Sequence, residues 1–399
     1  MKVLYINTYD TGGAAIANIR IHLAMLEKGI DSKMLVLYKS TDVKELYEFN
    51  YWSYNNKTKL QRFLKRKKYN DYKKKMGRLY KFTLQHPVEA FTNPTSIFDI
   101  TKHPLYKEAD IIVFNWVAGF VDELNFFRKN TKPVVWIMED LYACGSGYHY
   151  EKEFLFDAYK QLLNKNYKIR KKALKNKNLH IVAISNWVKQ KALESELLKN
   201  HTISVIHHGL DLSIFKPYDK NSVREELGIP LDKKVILIGA QSLSNPRKGT
   251  SLLLDAINEI ADNNILFYGF GTNDNIDERI VSLGYIKDEN LLSKIYSAAD
   301  LFVMSSIEEA FGQVFIESLA CGTPVASFPN GGGMDIIKNG FNGFLAEDFT
   351  SSSLAKVINK TLNFTFDKGA IRNDIIERFN IDDKVDQYID LYNKILSKQ

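Results

Sequence analysis

The chain has 399 residues, 45% of them hydrophobic and 25% charged, with 54 Lys+Arg against 47 Asp+Glu for a net charge of +7. That apolar content supports large cores and excludes disorder, and the absence of any run of about 18 apolar residues excludes an ordinary transmembrane helix. The positive charge is concentrated in residues 57–81 (+11) and 165–177 (+7), so the other 361 residues sum to −11, which excludes a uniformly basic nucleic-acid coat.

The length predicts two or three domains. Residues 3–6 form a short β-rich run ending in Thr8-Tyr9-Asp10-Thr11-Gly12-Gly13. Ile16, Ile19, Leu23 and Leu26 then recur at helical spacing, Gly29 closes the helix, and residues 34–37 predict the next strand. This is a β-loop-α-β unit opening on a Gly-Gly turn. Residues 44–95 are aromatic, Lys-rich and poorly periodic, and read as an insertion. Strands are expected at 110–114, 133–138, 180–184 and 204–207, with Ser185 placed to cap a helix from Asn186. After a linker near 216–220 the pattern restarts, with strands at 234–239, 265–268, 301–304 and 324–327 and helices at 250–261, 290–299 and 314–320. The tail, from about 374 to 398, reads as helical. Two successive βα arrays predict two doubly wound domains facing a cleft, with ligands at the carboxyl ends of the strands. Residues 1–7 read as a strand and lack the longer apolar core of a signal peptide. Cys144 and Cys321 lie far apart without metal-ligand spacing, so the expectation is reduced thiols in a cytoplasmic protein.

The richest stretch for chemistry runs from Ser305 to Ala326. A strand ends in a polar loop carrying Glu308 and Glu309, Gly312 lets the backbone approach something closely, and a helix begins whose N–H groups would face a negative group. Glu317 lies in an otherwise apolar helix. On spacing alone, surface carboxylates explain these residues as well as a ligand site does.

These residues also carry a resemblance. Glu309 and Glu317 resemble the E-x7-E signature of family 4 glycosyltransferases. Thr11-Gly12-Gly13-Ala14 is similar to the family's N-terminal Gly-Gly loop, and Arg247-Lys248-Gly249 to its phosphate-binding K-G. His208-Gly209-Leu210-Asp211 with Phe215 resembles the N-G-x-D-x-x-x-F segment that closes the first domain. Leu283-Gly284-Tyr285-Ile286 and Gly331-Gly332-Gly333-Met334-Asp335 fit in the same order, and only the region around 44–95 lies outside the resemblance.

The family implies the GT-B fold, two Rossmann-like domains, with the first at 1–215, the second at 216–375 and a terminal helix, 376–399, packing back on the first. It further implies a UDP- or GDP-sugar donor, no metal or other cofactor, and retention of anomeric configuration. Glu317 would hold the ribose hydroxyls and Glu309 those of the donor sugar. Backbone at Phe311 and Gly312 would meet sugar or phosphate, and Tyr285 and Ile286 would lie against the base. Lys248, with Arg247 and the Gly12-Gly13 backbone, would neutralise the departing diphosphate. An Arg usual a few residues before the K-G lysine is missing: Gln241, Ser242 and Leu243 stand there, and Arg247 is the substitute. His208 replaces the Asn of N-G-x-D, and Asp335 stands where Glu is common.

On the acceptor side, Glu139-Asp140-Leu141-Tyr142 through His149-Tyr150 resembles a block of a subgroup acting in capsule, colanic-acid and O-antigen assembly. Glu139 and Asn115 stand where that subgroup has His, leaving Asp140 and His149 as the polar candidates. The expected function is therefore hexosyl transfer to a surface-polysaccharide or lipid-linked acceptor. Residues 57–81 interleave cations with aromatic and aliphatic side chains, which fits docking on an anionic membrane surface at its inner face as well as it fits a solvated insertion. No recognised module suggests nucleic-acid binding. A sugar-nucleotide epimerase and a non-catalytic nucleotide-sugar-binding protein are the rival classes.

Overall fold

The computed structural model describes all residues except 54–57, 153, 240–244, 261, 272–276 and 399. Gln241, Ser242, Leu243 and the first basic residue of the Lys-rich segment, Lys57, lie outside the described residues. The chain forms two compact units, Met1–Ile206 with Val385–Gln399, and His207–Lys384. The boundary falls at 206/207 rather than after residue 215, because the His208-Gly209-Leu210-Asp211 segment packs inside the second unit.

The first unit holds seven parallel strands: β1 (Lys2–Tyr9), β2 (Asp31–Tyr38), β3 (Leu46–Glu48), β4 (Ile111–Phe114), β5 (Val134–Met138), β6 (Leu179–Ala183) and β7 (Thr202–Val205). Their spatial order is β3-β2-β1-β4-β5-β6-β7. β4 and β5 are buried along their whole length, as expected of parallel strands covered on both faces. The order reverses between β1 and β4, so the Gly12-Gly13 turn and the Asn115-Trp116 segment emerge side by side. Thr8 N–H donates to the Trp116 carbonyl at 2.8 Å, tying those two exits together.

The second unit repeats the plan with β8 (Lys234–Gly239), β9 (Ile265–Phe270), β10 (Ile280–Ser282), β11 (Leu301–Met304), β12 (Val325–Ser327) and β13 (Gly343–Leu345). The order is β10-β9-β8-β11-β12-β13, all parallel, and it reverses between β8 and β11. The loops that leave β8 and β11 carry the Arg247-Lys248-Gly249 and Glu308–Gly312 residues, so this topology brings the two motifs together.

Within residues 44–95, read as an insertion, the chain forms β3 and a 27-residue helix, Lys59–Gln85, opened by a capping box in which Thr58 and Gln61 satisfy each other's backbone N–H. Leu79 is the one buried residue of that helix, so it has no apolar stripe for periodicity to detect. The tail is two helices, Lys368–Phe379 and Ile381–Leu396, broken at Asn380. There Leu210 N–H donates to the Phe379 carbonyl at 2.8 Å and Ile381 N–H to the Leu210 carbonyl at 3.1 Å. Gly209 is required at this crossing, since a Cβ would lie 2.6 Å from the Ile381 Cα. Within the basic 165–177 segment the cations are not all at the surface. Its Arg170, on the helix Phe156–Leu174, is fully buried against Glu123 at 2.6 Å and donates to the carbonyls of Tyr142 and Gly145.

The terminal residues 385–399 group with the first unit, where Tyr392 Oη lies 3.2 Å from Tyr5 Oη in the core.

Removing one partner of a buried ion pair leaves an uncompensated charge out of water, which costs about 3–5 kcal/mol. Arg170→Leu is therefore expected to lower the stability of the first unit by that amount in urea unfolding. A loss well under that range would show that Glu123 finds another partner.

Candidate functional site

The second unit assembles its site from three loops that are stitched to one another. Asn245 caps a single 3-10 turn, Pro246–Lys248, by accepting from the Arg247 N–H at 3.0 Å. Gly249 ends the turn at φ +64, and a Cβ there would lie 2.0 Å from the Ser305 carbonyl oxygen. That close approach lets the loop after β11 lie directly on it. Ser305 Oγ donates to the Lys248 carbonyl at 2.7 Å, and Ile307 N–H to the Arg247 carbonyl at 2.8 Å. The third loop joins through Glu309, whose N–H donates to the Asn330 carbonyl at 2.7 Å and whose carbonyl accepts from Gly332 at 2.8 Å. Gly332 is again obligatory, because a Cβ would sit 2.4 Å from the Phe311 Cα.

This stitching sets the side chains. Lys248 Nζ lies 2.8 Å from Glu309 Oε2, and Arg247 Nη1 lies 3.5 Å from the same oxygen while donating to the Glu308 carbonyl at 2.6 Å. Burial favours the neutral Glu309 carboxyl, but Lys248 and then Arg247 outweigh it and hold the group below its ordinary value. Gly312, at φ +90, opens the helix Gln313–Ala320 without a side-chain cap, so the positive end of that helix lies at the loop carrying Glu309. Glu317 is buried on that helix and accepts from Tyr296 Oη at 3.2 Å. The Phe311 ring is buried among His207, His208 and Phe379, so only its backbone could face a ligand. Tyr285 is about half exposed, and its segment is anchored beside β9 by Leu283 N–H donating to the Gly269 carbonyl at 2.7 Å. Asp335 is engaged with His207 at 3.1 Å. Thus the structure groups Arg247, Lys248, Glu309, Phe311 and Gly312 tightly, with Glu317 on the helix that follows.

In the first unit, Gly12 sits at φ +94 at the start of the helix Gly13–Glu27, which also lacks a side-chain cap. Asp10 was not anticipated. Its carboxylate accepts from the N–H and hydroxyl groups of Ser40 and Thr41 at 2.7–2.8 Å, fixing the loop after β2 beside the glycine turn. Burial opposes the charge there, but these four donors leave the carboxyl below its ordinary value. An Asp two residues before a Gly-Gly turn was the available signal.

Asp140 and His149 are paired with each other. Asp140 accepts from the Trp116 indole at 2.8 Å, the Tyr142 N–H at 2.7 Å and His149 Nδ1 at 2.6 Å. His149 is fully buried and stacked on Tyr142, and its Nε2 lies 3.1 Å from Thr92 Oγ1. Both ring nitrogens are occupied, so His149 holds the 140–149 loop and no ring nitrogen remains to meet a substrate. Glu139 accepts from Asn18 Nδ2 at 2.8 Å, and the buried Asn115 side-chain amide has no hydrogen-bond partner among the described residues. Among the described residues, no group of three or more His, Cys, Asp or Glu side chains could hold a metal ion, and no helix is long and apolar enough to cross a membrane.

Residues 219–378 match the family model described as "Glycosyl transferases group 1". The chain is 31% identical over 176 residues to a D-inositol 3-phosphate glycosyltransferase of Mycobacterium sp. (strain KMS), covering 40% of this chain and 39% of that protein. The matched stretch therefore spans well under half the length of this curated relative. Over whole chains, the fold is similar to sucrose-phosphate synthase from Thermosynechococcus elongatus, with a TM-score of 0.71, 17% identity and 100% coverage of both chains. It is likewise similar to Anabaena Alr3699/HepE, solved with UDP and glucose, with a TM-score of 0.66, 20% identity and coverage of 98% and 99%. At these identities the likeness is one of fold: two parallel-sheet Rossmann-like domains of the GT-B type.

A carboxylate whose folded pKa is depressed stabilises the fold fully above its ordinary pKa and loses that contribution as pH falls through the folded value. The stability difference between wild type and Glu309→Gln is therefore expected to be full above pH 4.5 and to shrink below it. Thermal melts of both proteins across the acid range check this, and a difference that does not change with pH contradicts the assigned cation clamp.

Proposed function

We propose that the chain is a retaining glycosyltransferase that moves a hexosyl group from a UDP- or GDP-sugar to a surface-polysaccharide or lipid-linked saccharide acceptor in the cytoplasm. The observation that carries this reading is the Lys248–Glu309 pair, held by three stitched loops beside the uncapped helix start at Gly312. It is supported by the group 1 family match over 219–378 and by the fold shared with a protein solved with UDP and glucose.

In this reading the donor diphosphate takes the place beside Lys248 that the Glu309 carboxylate now shares, and the amides after Gly312 complete its neutralisation. Glu309, released from part of its ion pair, accepts hydrogen bonds from the donor sugar's hydroxyls. Glu317, already oriented by Tyr296, holds the ribose hydroxyls. The Phe311 backbone meets sugar or phosphate, and Tyr285 and Ile286 border the base. The acceptor hydroxyl attacks the anomeric carbon on the face the diphosphate leaves. The C–O bond to phosphate breaks as the new glycosidic bond forms, and a donor phosphate oxygen takes the acceptor's proton. The protein contributes position and charge, with no metal and no covalent intermediate. A second reading, nucleotide-sugar binding without transfer, draws on the engaged state of His149 and on Glu139 standing where a His was expected.

The acceptor part of the proposal rests on the helix Lys59–Gln85. Leu60 and Phe63 are about two-thirds exposed on one face, set among lysines and arginines. A basic helix presenting apolar side chains to solvent suits an anionic lipid surface, which is where a lipid-linked acceptor resides.

Lys248→Ala and Glu309→Ala should each lower turnover of UDP- or GDP-sugar by about 100-fold or more, the scale of losing one preorganised charge-stabilising group. Mass spectrometry of products with lipid-linked acceptors measures this. Near-wild-type turnover in either variant sinks the assignment, donor conversion without acceptor favours an epimerase, and binding without product favours the second reading. Flotation with anionic vesicles should recover wild type at low salt and lose both Leu60→Glu and Phe63→Glu; equal recovery of the variants removes the membrane role.

A further inference from the structure

Three aromatic side chains stand in a row on the carboxyl edge of the first unit's sheet, and the reaction proposed above does not use them. Tyr38 ends β2, Tyr9 ends β1 directly opposite it in register, and Trp116 follows β4, the strand on the other side of β1. The strand order reverses here, which is where open parallel sheets hold their ligands.

The Tyr38 and Tyr9 ring centroids are 5.2 Å apart with their planes 21° apart, and Tyr9 lies 5.8 Å from Trp116 at 43°. Near-parallel rings that covered each other fully would sit at the ~3.5–4.0 Å of carbon contact. At 5.2 Å the two are displaced sideways, so part of each face stays uncovered. Tyr9 is 44% exposed and Tyr38 52%. Large rings exposed side by side form a contiguous patch, and such patches mark binding surfaces. Among the described residues neither phenol hydroxyl is hydrogen-bonded to the protein.

The row is fixed by three buried polar side chains. Asn7 Nδ2 donates to the Tyr9 carbonyl at 2.8 Å while its Oδ1 accepts from Trp116 N–H at 3.1 Å, so one amide sets the spacing of two strand exits. Asp10 holds Ser40 and Thr41, just beyond Tyr38, through four bonds of 2.7–2.8 Å. Asp140 accepts from the Trp116 indole at 2.8 Å, with the His149 ring 5.2 Å from the Trp116 ring. The helix Lys59–Gln85 borders the row through Tyr72, whose hydroxyl donates to the Gly119 carbonyl at 3.4 Å. Burial, and then the neighbouring phenols of Tyr38 and Tyr9, push that hydroxyl's pKa up to about 12. Rings positioned in advance lose little freedom when something lies on them.

The surface is amphipathic within each side chain. A ring face carries negative π density that attracts polarised C–H groups, and a phenol hydroxyl both donates and accepts. A sugar ring divides in the same way, with C–H groups on its faces and hydroxyls around its rim. A fatty chain would leave the phenol hydroxyls unmet, and a bare anion would meet the negative face of the rings. Three rings across three adjacent strands also extend further than one sugar needs.

We propose that Tyr38, Tyr9 and Trp116 form a platform for a saccharide chain of two or more linked units, lying across the ends of β2, β1 and β4. The natural occupant is then the acceptor glycan, a point that rests on the transfer reaction proposed above; binding itself does not.

Saturation-transfer NMR titration of the full chain tests this with maltotriose, cellotriose and tri-N-acetylchitotriose, with glucose and uridine for comparison and UDP as the reporter of the second unit. At least one trisaccharide should bind about tenfold more tightly than glucose, with saturation reaching its ring C–H protons. Tyr9→Ala and Tyr38→Ala should each weaken that trisaccharide about three- to tenfold, the scale of one aromatic contact, and leave UDP unchanged. Tyr9→Phe, which keeps the ring face, should lose less than Tyr9→Ala. Tyr38→Ala, at the more exposed position, reads the platform independently of any packing that Tyr9 supplies. Binding of no trisaccharide, binding no tighter than that of glucose, or indifference to both alanine exchanges each overturns the proposal. So does a loss of uridine or UDP binding in those variants that matches the loss of trisaccharide, since the rings would then hold a base. UDP binding without trisaccharide binding removes the platform alone, and the reverse removes the donor reading alone.

Discussion

A carboxylate taken out of water must be met by cations, and in the second unit that requirement falls on Glu309. Its partners cannot come from its own strand. They come from Lys248 and Arg247, on the loop after β8, because the strand order reverses between β8 and β11 and sets those two loops side by side. For the charges to meet, the backbones must nearly touch. That is why Gly249 faces the Ser305 carbonyl and Gly332 faces Phe311, with no room for a side chain at either. Such a pair is a poor source of stability, since desolvation consumes most of the attraction. Its geometry instead fixes the position of Lys248 against the loop after β11.

The first unit meets the same topology with a different solution. Its polar residues at the strand ends mostly satisfy one another: Asp140 takes Trp116, Tyr142 and His149, and Asp10 takes Ser40 and Thr41. Arg170, reaching in from a neighbouring helix, holds the 142–145 carbonyls and leaves Glu123 compensated. The result is a rigid loop that positions Trp116 and presents its backbone.

What could be read from the residues followed the physics each signal reports. The alternation of buried strands with amphipathic helices predicted both parallel sheets, and Ser185 accepts from Val188 N–H at 3.1 Å as its cap position required. The Glu309, Lys248 and Gly312 grouping was legible through the family resemblance, since spacing alone fitted surface carboxylates equally well. The helix Lys59–Gln85 was not, because periodicity detects burial and this helix buries only Leu79; the Thr58–Gln61 capping box was its one local signature. The break at Asn380 depends on Leu210 crossing from far away in sequence, and no local pattern encodes it. The partners of His149 were not legible, because a histidine in a polar motif looks the same whether its nitrogens face a ligand or a neighbouring carboxylate. Arg170 stood in a run of lysines, and only the three-dimensional position of Glu123 separates it from them.

The same distinction changes how the excess positive charge is understood. A cation contributes to the field around a protein only if no nearby carboxylate cancels it. Arg170 is cancelled inside the first unit, Lys129 and Lys102 share Asp99, and Lys248 with Arg247 shares Glu309. On the helix Lys59–Gln85 there is one acidic residue, Asp71, against eleven lysines and arginines. Most of the chain's excess positive charge therefore sits on this one element.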